Sequence, residues 1–509
     1  MVWVDRALYQ SRGTSLAASV SPYQSRILAI SMPFSIEILW TDWLVWLLAV
    51  AAVGYGVFVR RRPHLGAPWS RVARSASGMA ALSVLSVFVL IGLVDSVHYR
   101  PAISVKEGKT IYSVEVRSLL DRVAWPLRAR KEKTYSAPLA THLFARETMV
   151  LPDGRETREY PRLQFGGAHL ADPDADWAGD VTKRVVQGVA AAVVAWTLLA
   201  MLLCAWIARR RDTHMAAAWR VVWRGETAVP WRAVLITLAV MLAAGAPLLA
   251  LAAKYHVFGT DKVGLDVFYQ SLKSIRTGLV IGTLTTLVTL PFALIFGIMA
   301  GYFRAWVDDV IQYVYTTLSS IPGVLLIAAA VLTMQVFIEN HPDLFPTTER
   351  RADARLLALC LILGITSWTG LCRLLRGEAL KLREMEYIQA ARAFAVSDWR
   401  IMVRHILPNV MHIVLIALVM DFSGLVLAEA VLSYVGVGVD PSTISFGTMI
   451  NSARLEMTRE PMVWWSLAAA FCFMLLLVLS ANLFADAVRD AFDPRIRAAR
   501  PFRLAAQKA

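Results

Sequence analysis

Charge is scarce in this chain. Only 18% of its 509 residues are Asp, Glu, Lys or Arg, where a soluble domain carries about a quarter. The shortage is uneven, because apolar residues gather in long runs that hold almost no charge. That pattern excludes an ordinary soluble protein. Cysteine is also rare: Cys204, Cys360, Cys372 and Cys472 lie in or beside apolar runs, with no metal-ligand spacing. They read as small apolar residues, and neither a resident metal nor a disulfide framework is expected. Residues 1–26 hold no apolar stretch ahead of a cleavage site, so no secretory signal is expected there. Residues 1–40 read as a flexible segment, and Met32 as an alternative start.

Acidic residues are outnumbered, 38 against 52 basic, for a formal charge of +14. The excess sits beside apolar runs, as in Arg60-Arg61-Arg62 and Arg209-Arg210-Arg211. Basic residues flanking membrane helices stay on the cytoplasmic side, so this charge points to membrane topology and not to nucleic acid. No phosphate-binding loop is present. Gly108-Lys109-Thr110 has its ending, but Ile103 stands where the motif needs glycine. The chain is therefore not expected to be an enzyme or to carry a cofactor.

What is present is an all-α integral membrane pattern of nine spans. They are expected near 42–59, 78–95, 185–208, 233–253, 277–300, 310–336, 356–375, 409–433 and 462–485. Each run is long enough, or nearly so, to cross a hydrocarbon core as a helix. The basic loops orient them with the N-terminus outside and the basic tail, 491–509, inside. Two helices within 41–95 precede a polar external insertion, 96–183, with turn signals at Pro152-Asp153-Gly154 and a strand-like patch at Thr110–Val116. A third helix and a basic loop occupy 184–232, and six spans follow within 233–490. Gly278, Gly282, Gly297 and Gly301 are spaced for close helix packing.

The loop between the seventh and eighth spans, Arg376 to Pro408, is unusually long. Residues 383–394 are good helix formers. Ser397 suits the N-cap of a second helix, Asp398 suits its first turn, and Pro408 should turn the chain. Ala390 and Ala391 leave a shallow surface that Glu386 and Arg392 flank with charge. Two readings fit: a helix on which another protein docks, or an amphipathic helix on the membrane with Met385, Ile388 and Phe394 facing down. Within the spans, Asp421 is either a lining residue of a solute path or a polar contact with a neighbouring helix. Glu429 lies near the outer end of the same span. Asp308 and Asp309 read as structural, at a helix start.

The long loop resembles the Glu-Ala-Ala loop of inner-membrane permeases of binding-protein-dependent ABC importers. Gln389-Ala390-Ala391, Ala395, His405 and Leu407-Pro408 fall at that signature's spacing, with Gln389, Ala395 and His405 replacing Glu, Gly and Ile. If the turn needs a positive φ, Ala395 is strained there. A second segment, with Gly259, Thr260, Asp261, Gly264 and Asp266, is similar to one in dipeptide and oligopeptide permeases, although Leu265 replaces a usual Arg. Thr366–Glu378, Glu429–Gly438 and Phe446-Gly447 match the same subfamily. The resemblance covers about 250–497. It implies a six-helix permease core preceded by three extra helices, in a bacterial inner membrane, carrying peptides or a similar small solute. It also implies as partners a second permease subunit, two ABC ATPase subunits, an external substrate-binding protein and membrane lipid. The coupling role would fall on Arg383, Glu386, Tyr387, Gln389, Ala390, Ala391, Arg392, Ala395, Asp398, Arg404, Leu407 and Pro408. An ion-coupled secondary transporter and a non-transporting scaffold remain the alternatives.

Overall fold

Apolar runs with no competing turn chemistry become long helices, and caps fix where they end. The computed structural model describes residues 34–106, 109–150 and 156–492. Residues 1–33, Gly108, the turn at Pro152-Asp153-Gly154 and 493–509 lie outside the described residues, and with them most of the N-terminal segment and tail.

The helices in chain order are α1 Trp40–Arg60, α2 Pro63–Val72, α3 Ala76–Asp95, α4 Leu119–Val123, α5 Trp125–Ala129 and α6 Pro173–Arg211. They continue with α7 Met215–Arg224, α8 Trp231–Ala252, α9 Val267–Phe303, α10 Ala305–Ser320, α11 Gly323–Asn340 and α12 Thr348–Ser367. The last are α13 Thr369–Arg383, α14 Glu386–Ala393, α15 Asp398–Ile401, α16 Leu407–Val435, α17 Phe446–Glu456 and α18 Trp465–Phe492. Among the described residues, nine helical stretches are long and apolar enough to span a membrane. The chain divides into two compact units. The smaller holds residues 34–37 and 99–117. Its strands β1 (Phe34–Glu37), β2 (His98–Lys106, which starts one residue outside this unit) and β3 (Lys109–Tyr112) form a sheet in that order, with β2 and β3 antiparallel. The larger unit holds the helices.

The sixth span departs from expectation. A continuous helix over 310–336 is replaced by α10 and α11, broken at Ile321-Pro322. Pro322 disfavours helix at the residue before it, and Ile321 is extended, with φ −82° and ψ 131°. The chain does not turn at Pro408 either. A π-helical turn, Met402–Ile406, links α15 to α16, and Pro408 sits in the first turn of α16, where its missing N–H costs little.

Helix α9 is the axis of the larger unit. Asp266 caps it by accepting hydrogen bonds from the Phe268 and Tyr269 N–H groups at 2.8 and 3.3 Å. Its far half packs on α13 without intervening side chains. A Cβ placed on Gly297 would sit 2.8 Å from Leu375 Cβ, and one on Gly301 2.5 Å from Ala379 Cβ. Gly282 lies against Phe422 in the same manner, whereas Gly278 has ordinary room. The other end of α9 carries charge that the sequence reading missed. Arg276, buried, donates to Asp42 of α1 at 2.5 Å. Lys273 donates to Asp95 of α3 at 2.6 Å and to Asp121 of α4 at 3.0 Å. These pairs tie the added helices α1 and α3 to α9.

Candidate functional site

The loop after α13 builds a small platform. Ile388 of α14 is fully buried in a cluster with Tyr302, Leu375, Ala379, Ile401 and Ile406. Its other faces are free: Glu386, Tyr387, Gln389, Ala390 and Arg392 are exposed, and Ala391 is half-buried against the cluster. Met385 and Phe394 are 49% and 82% exposed. The arrangement in which Met385, Ile388 and Phe394 share one downward face therefore does not occur. Ile388 plugs into protein while the other two point elsewhere.

The end of α14 is a Schellman motif. The Val396 N–H donates to the Ala391 carbonyl at 3.1 Å and the Ala395 N–H to the Arg392 carbonyl at 2.9 Å. Such a terminus places the residue after the cap in the left-handed region, where glycine is favoured. Ala395 occupies it with φ +53°. Ser397 stands at the N-cap of α15, but its side chain makes no capping bond. Asp398 instead accepts a hydrogen bond from the Tyr302 hydroxyl at 2.5 Å. Arg392 lies over the Tyr302 ring, 4.8 Å from its centroid. Tyr302, not singled out in the sequence, thus fastens α14 and α15 to the end of α9. Gln389 folds back to donate to the Glu384 carbonyl at 3.1 Å. Tyr387 accepts from the Asn409 amide at 3.0 Å, and the His405 ring lies tilted beside it, with centroids 6.4 Å apart. Arg404 and Pro408 are exposed, and Leu407 is partly buried. The Arg383 Nη1 is buried without a hydrogen-bond partner among the described residues. Arg376 grips Asp308 with two bonds of 2.6 and 2.7 Å. This contact holds the Asp308 carboxyl below the usual range.

At the other end of α9, the Gly259–Asp266 segment is a clasp. The Asp261 carboxylate accepts from the Val263 and Leu265 N–H groups at 3.0 and 2.8 Å, and from Gln270 at 2.7 Å. Burial nevertheless pushes its carboxyl up. Thr260 accepts from the Ser136 N–H at 2.7 Å. Gly264, with φ +74°, passes so close to the Glu132 carbonyl that no Cβ would fit. Buried His256 lies between Asp266, at 2.7 Å, and Glu132, at 3.4 Å. Burial alone would lower its pKa, but the two carboxylates outweigh it and raise it to about 9. Asp121 is the converse case. Burial raises it, yet Lys273, Tyr269 and the Ser118 N–H hold it at about 2.

Between α9, α13 and α16 lies an open cavity of about 860 Å³. Thr286, Thr289, Leu371, Ile416, Met420 and Asp421 help line it, with Glu378, Lys381, His412 and Arg489. Asp421 has no hydrogen bond or ion pair among the described residues, so the neighbouring-helix contact considered for it is absent. Glu429 behaves differently. Buried, it accepts from Ser433 at 2.7 Å and Ser445 at 2.8 Å, which fixes α16 to α17.

Residues 293–498 match the family described as binding-protein-dependent transport system inner membrane component. The chain is similar to the oligopeptide transport system permease protein OppC of Mycobacterium bovis, with 31% identity over 48% of this chain and 78% of the relative. It is 32% identical to the glutathione transport system permease protein GsiD of Pectobacterium atrosepticum, over 48% of this chain and 73% of that one. For the dipeptide transport system permease protein DppC of Lactococcus lactis the identity is 29%, over 47% and 64%. With nine membrane-spanning stretches and a match to such relatives, the chain belongs to the binding-protein-dependent inner membrane component family and is a multi-pass permease subunit of the peptide-type ABC importers.

Proposed function

We propose that the chain forms half of the translocation path of an importer for peptides or a similar small solute, and that α14 is the surface through which ATP hydrolysis on separate subunits moves it. A second permease subunit, two ABC ATPase subunits and an external substrate-binding protein complete the assembly, within membrane lipid. The observation that carries this reading is the posture of α14: Ile388 is anchored in the permease core, and Ala390 is turned outward, with half-buried Ala391 beside it and charge around them. A push on that surface reaches α9 through Arg392, Tyr302 and Asp398. Arg383, whose Nη1 makes no hydrogen bond among the described residues, adds positive charge at the end of α13 that an acidic group of the ATPase can meet. Gly259, Thr260, Asp261, Gly264 and Asp266 serve as a structural clasp at the opposite end, and Asp421 lines the path. Alternation between inward and outward access is then a population shift driven by contacts made in one state only.

The test is Ala390→Arg in the full assembly, reconstituted in proteoliposomes. ATP-dependent uptake should fall at least about tenfold, the effect of losing a well-packed anchor at an interface centre, while membrane insertion is unchanged. Ala391→Arg should behave alike. Uptake equal to wild type in both would remove the docking role from α14.

A further inference from the structure

The cavity between α9, α13 and α16 is chemically one-sided where Asp421 enters it. Asp421 is fourteen residues from either end of α16, about 21 Å along the axis, so it sits at the middle of its span. A lone carboxylate at that depth is costly unless a partner arrives, and no partner stands within the chain among the described residues. The same cavity is lined by Ser367, by His412 and, from α9, by Thr286 and Thr289. Both threonine hydroxyl protons are already engaged: Thr286 donates to the Gly282 carbonyl at 2.7 Å and Thr289 to the Thr285 carbonyl at 2.9 Å. A hydroxyl that has spent its proton offers lone pairs only. The lining also holds apolar Leu371, Ile416 and Met420. The basic groups Lys381 and Arg489 lie at the ends of their helices instead, and Lys381 pairs with Glu378 at 3.1 Å.

We propose that Asp421, with the hydroxyl oxygens of Thr286 and Thr289, receives a side-chain ammonium group of the solute at mid-membrane, so that the path itself favours peptides with a cationic side chain over those with an anionic one. The inference rests on the importer reading above and adds a selectivity that does not depend on the binding protein. A carboxylate beside hydroxyl lone pairs matches a group that is all donors and positive, as an ammonium is. An anionic side chain beside Asp421 would meet like-charge repulsion.

The experiment uses the complete transporter in proteoliposomes, with its binding protein saturated by each of three tripeptides, Ala-Lys-Ala, Ala-Gln-Ala and Ala-Glu-Ala. Saturation cancels differences in capture. Wild type should move the lysine peptide fastest and the glutamate peptide slowest. Asp421→Asn should compress the ratio of those two rates about tenfold, the size of one ion pair in a medium between water and protein interior. Asp421→Glu should keep the order. A ratio unchanged by Asp421→Asn would overturn the assignment. So would loss of the second permease subunit when the Asn variant is purified, because Asp421 would then belong to an ion pair between subunits. Wild-type vesicles that accumulate none of the three peptides would instead overturn the peptide-importer reading beneath it.

Discussion

Ala395 is the residue where sequence and backbone disagree most openly. Its φ of +53° is forced by the Schellman closure of α14, and a non-glycine residue there costs about 1 kcal/mol. Ala395→Gly should therefore stabilise the detergent-solubilised protein by about that amount, read as a raised midpoint in thermal unfolding. His256 gives a pH prediction. Its folded pKa, about 9, lies above its ordinary 6.5, so its charge contributes stability fully below 6.5 and loses it as pH rises through 9. Thermal midpoints measured from pH 6.5 to 9.5 should fall in wild type, with a shallower fall in His256→Gln. The glycine-to-alanine exchange was legible in the sequence, because the motif spacing pointed to that turn. The charges around α9 were not. Asp42, Asp95, Lys273 and Arg276 are hundreds of positions apart at the extremes, and nothing local in a sequence pairs them.

Among the elements, the long helices were the legible part, since twenty apolar residues leave few alternatives in a bilayer. Their ends were less so. Helix α6 starts twelve residues before its apolar run, because Asp172 accepts from the Asp174 and Ala175 N–H groups and Pro173 opens the first turn. Those signals were in the sequence but lay in a polar stretch read as insertion. The break between α10 and α11 was equally readable at Pro322, yet the apolar run continued across it. The contact of α9 with α13 is the element most sensitive to bulk. Gly301→Leu must push Ala379 and the Arg376 carbonyl aside, and overpacking costs about 1–3 kcal/mol. The expected result is a lower thermal midpoint and reduced transport, with Gly278→Ala, which has room, close to wild type as the control.

At the scale of the molecule, the relatives account for 48% of the chain, and the added helices and polar segments make up much of the rest. The larger unit nonetheless treats part of that addition as its own. Glu132 accepts from the Gln164, Phe165 and Gly166 N–H groups, while its own N–H donates to the Gly264 carbonyl at 3.0 Å. Arg130 donates to the Ala253 carbonyl at 2.5 Å, and the Leu139 N–H to the His256 carbonyl at 2.9 Å. Anyone trimming this protein toward a shorter permease meets the consequence here. Excising 118–172 would strip His256 of one of its two carboxylates, leave Lys273 without Asp121, bare the carbonyls of Ala253 and Gly264, and leave the His256 carbonyl with the Gly259 N–H alone. The cut would have to be accompanied by new residues at 256 and 273, so the addition has become a prerequisite of the clasp and can no longer be removed as an ornament.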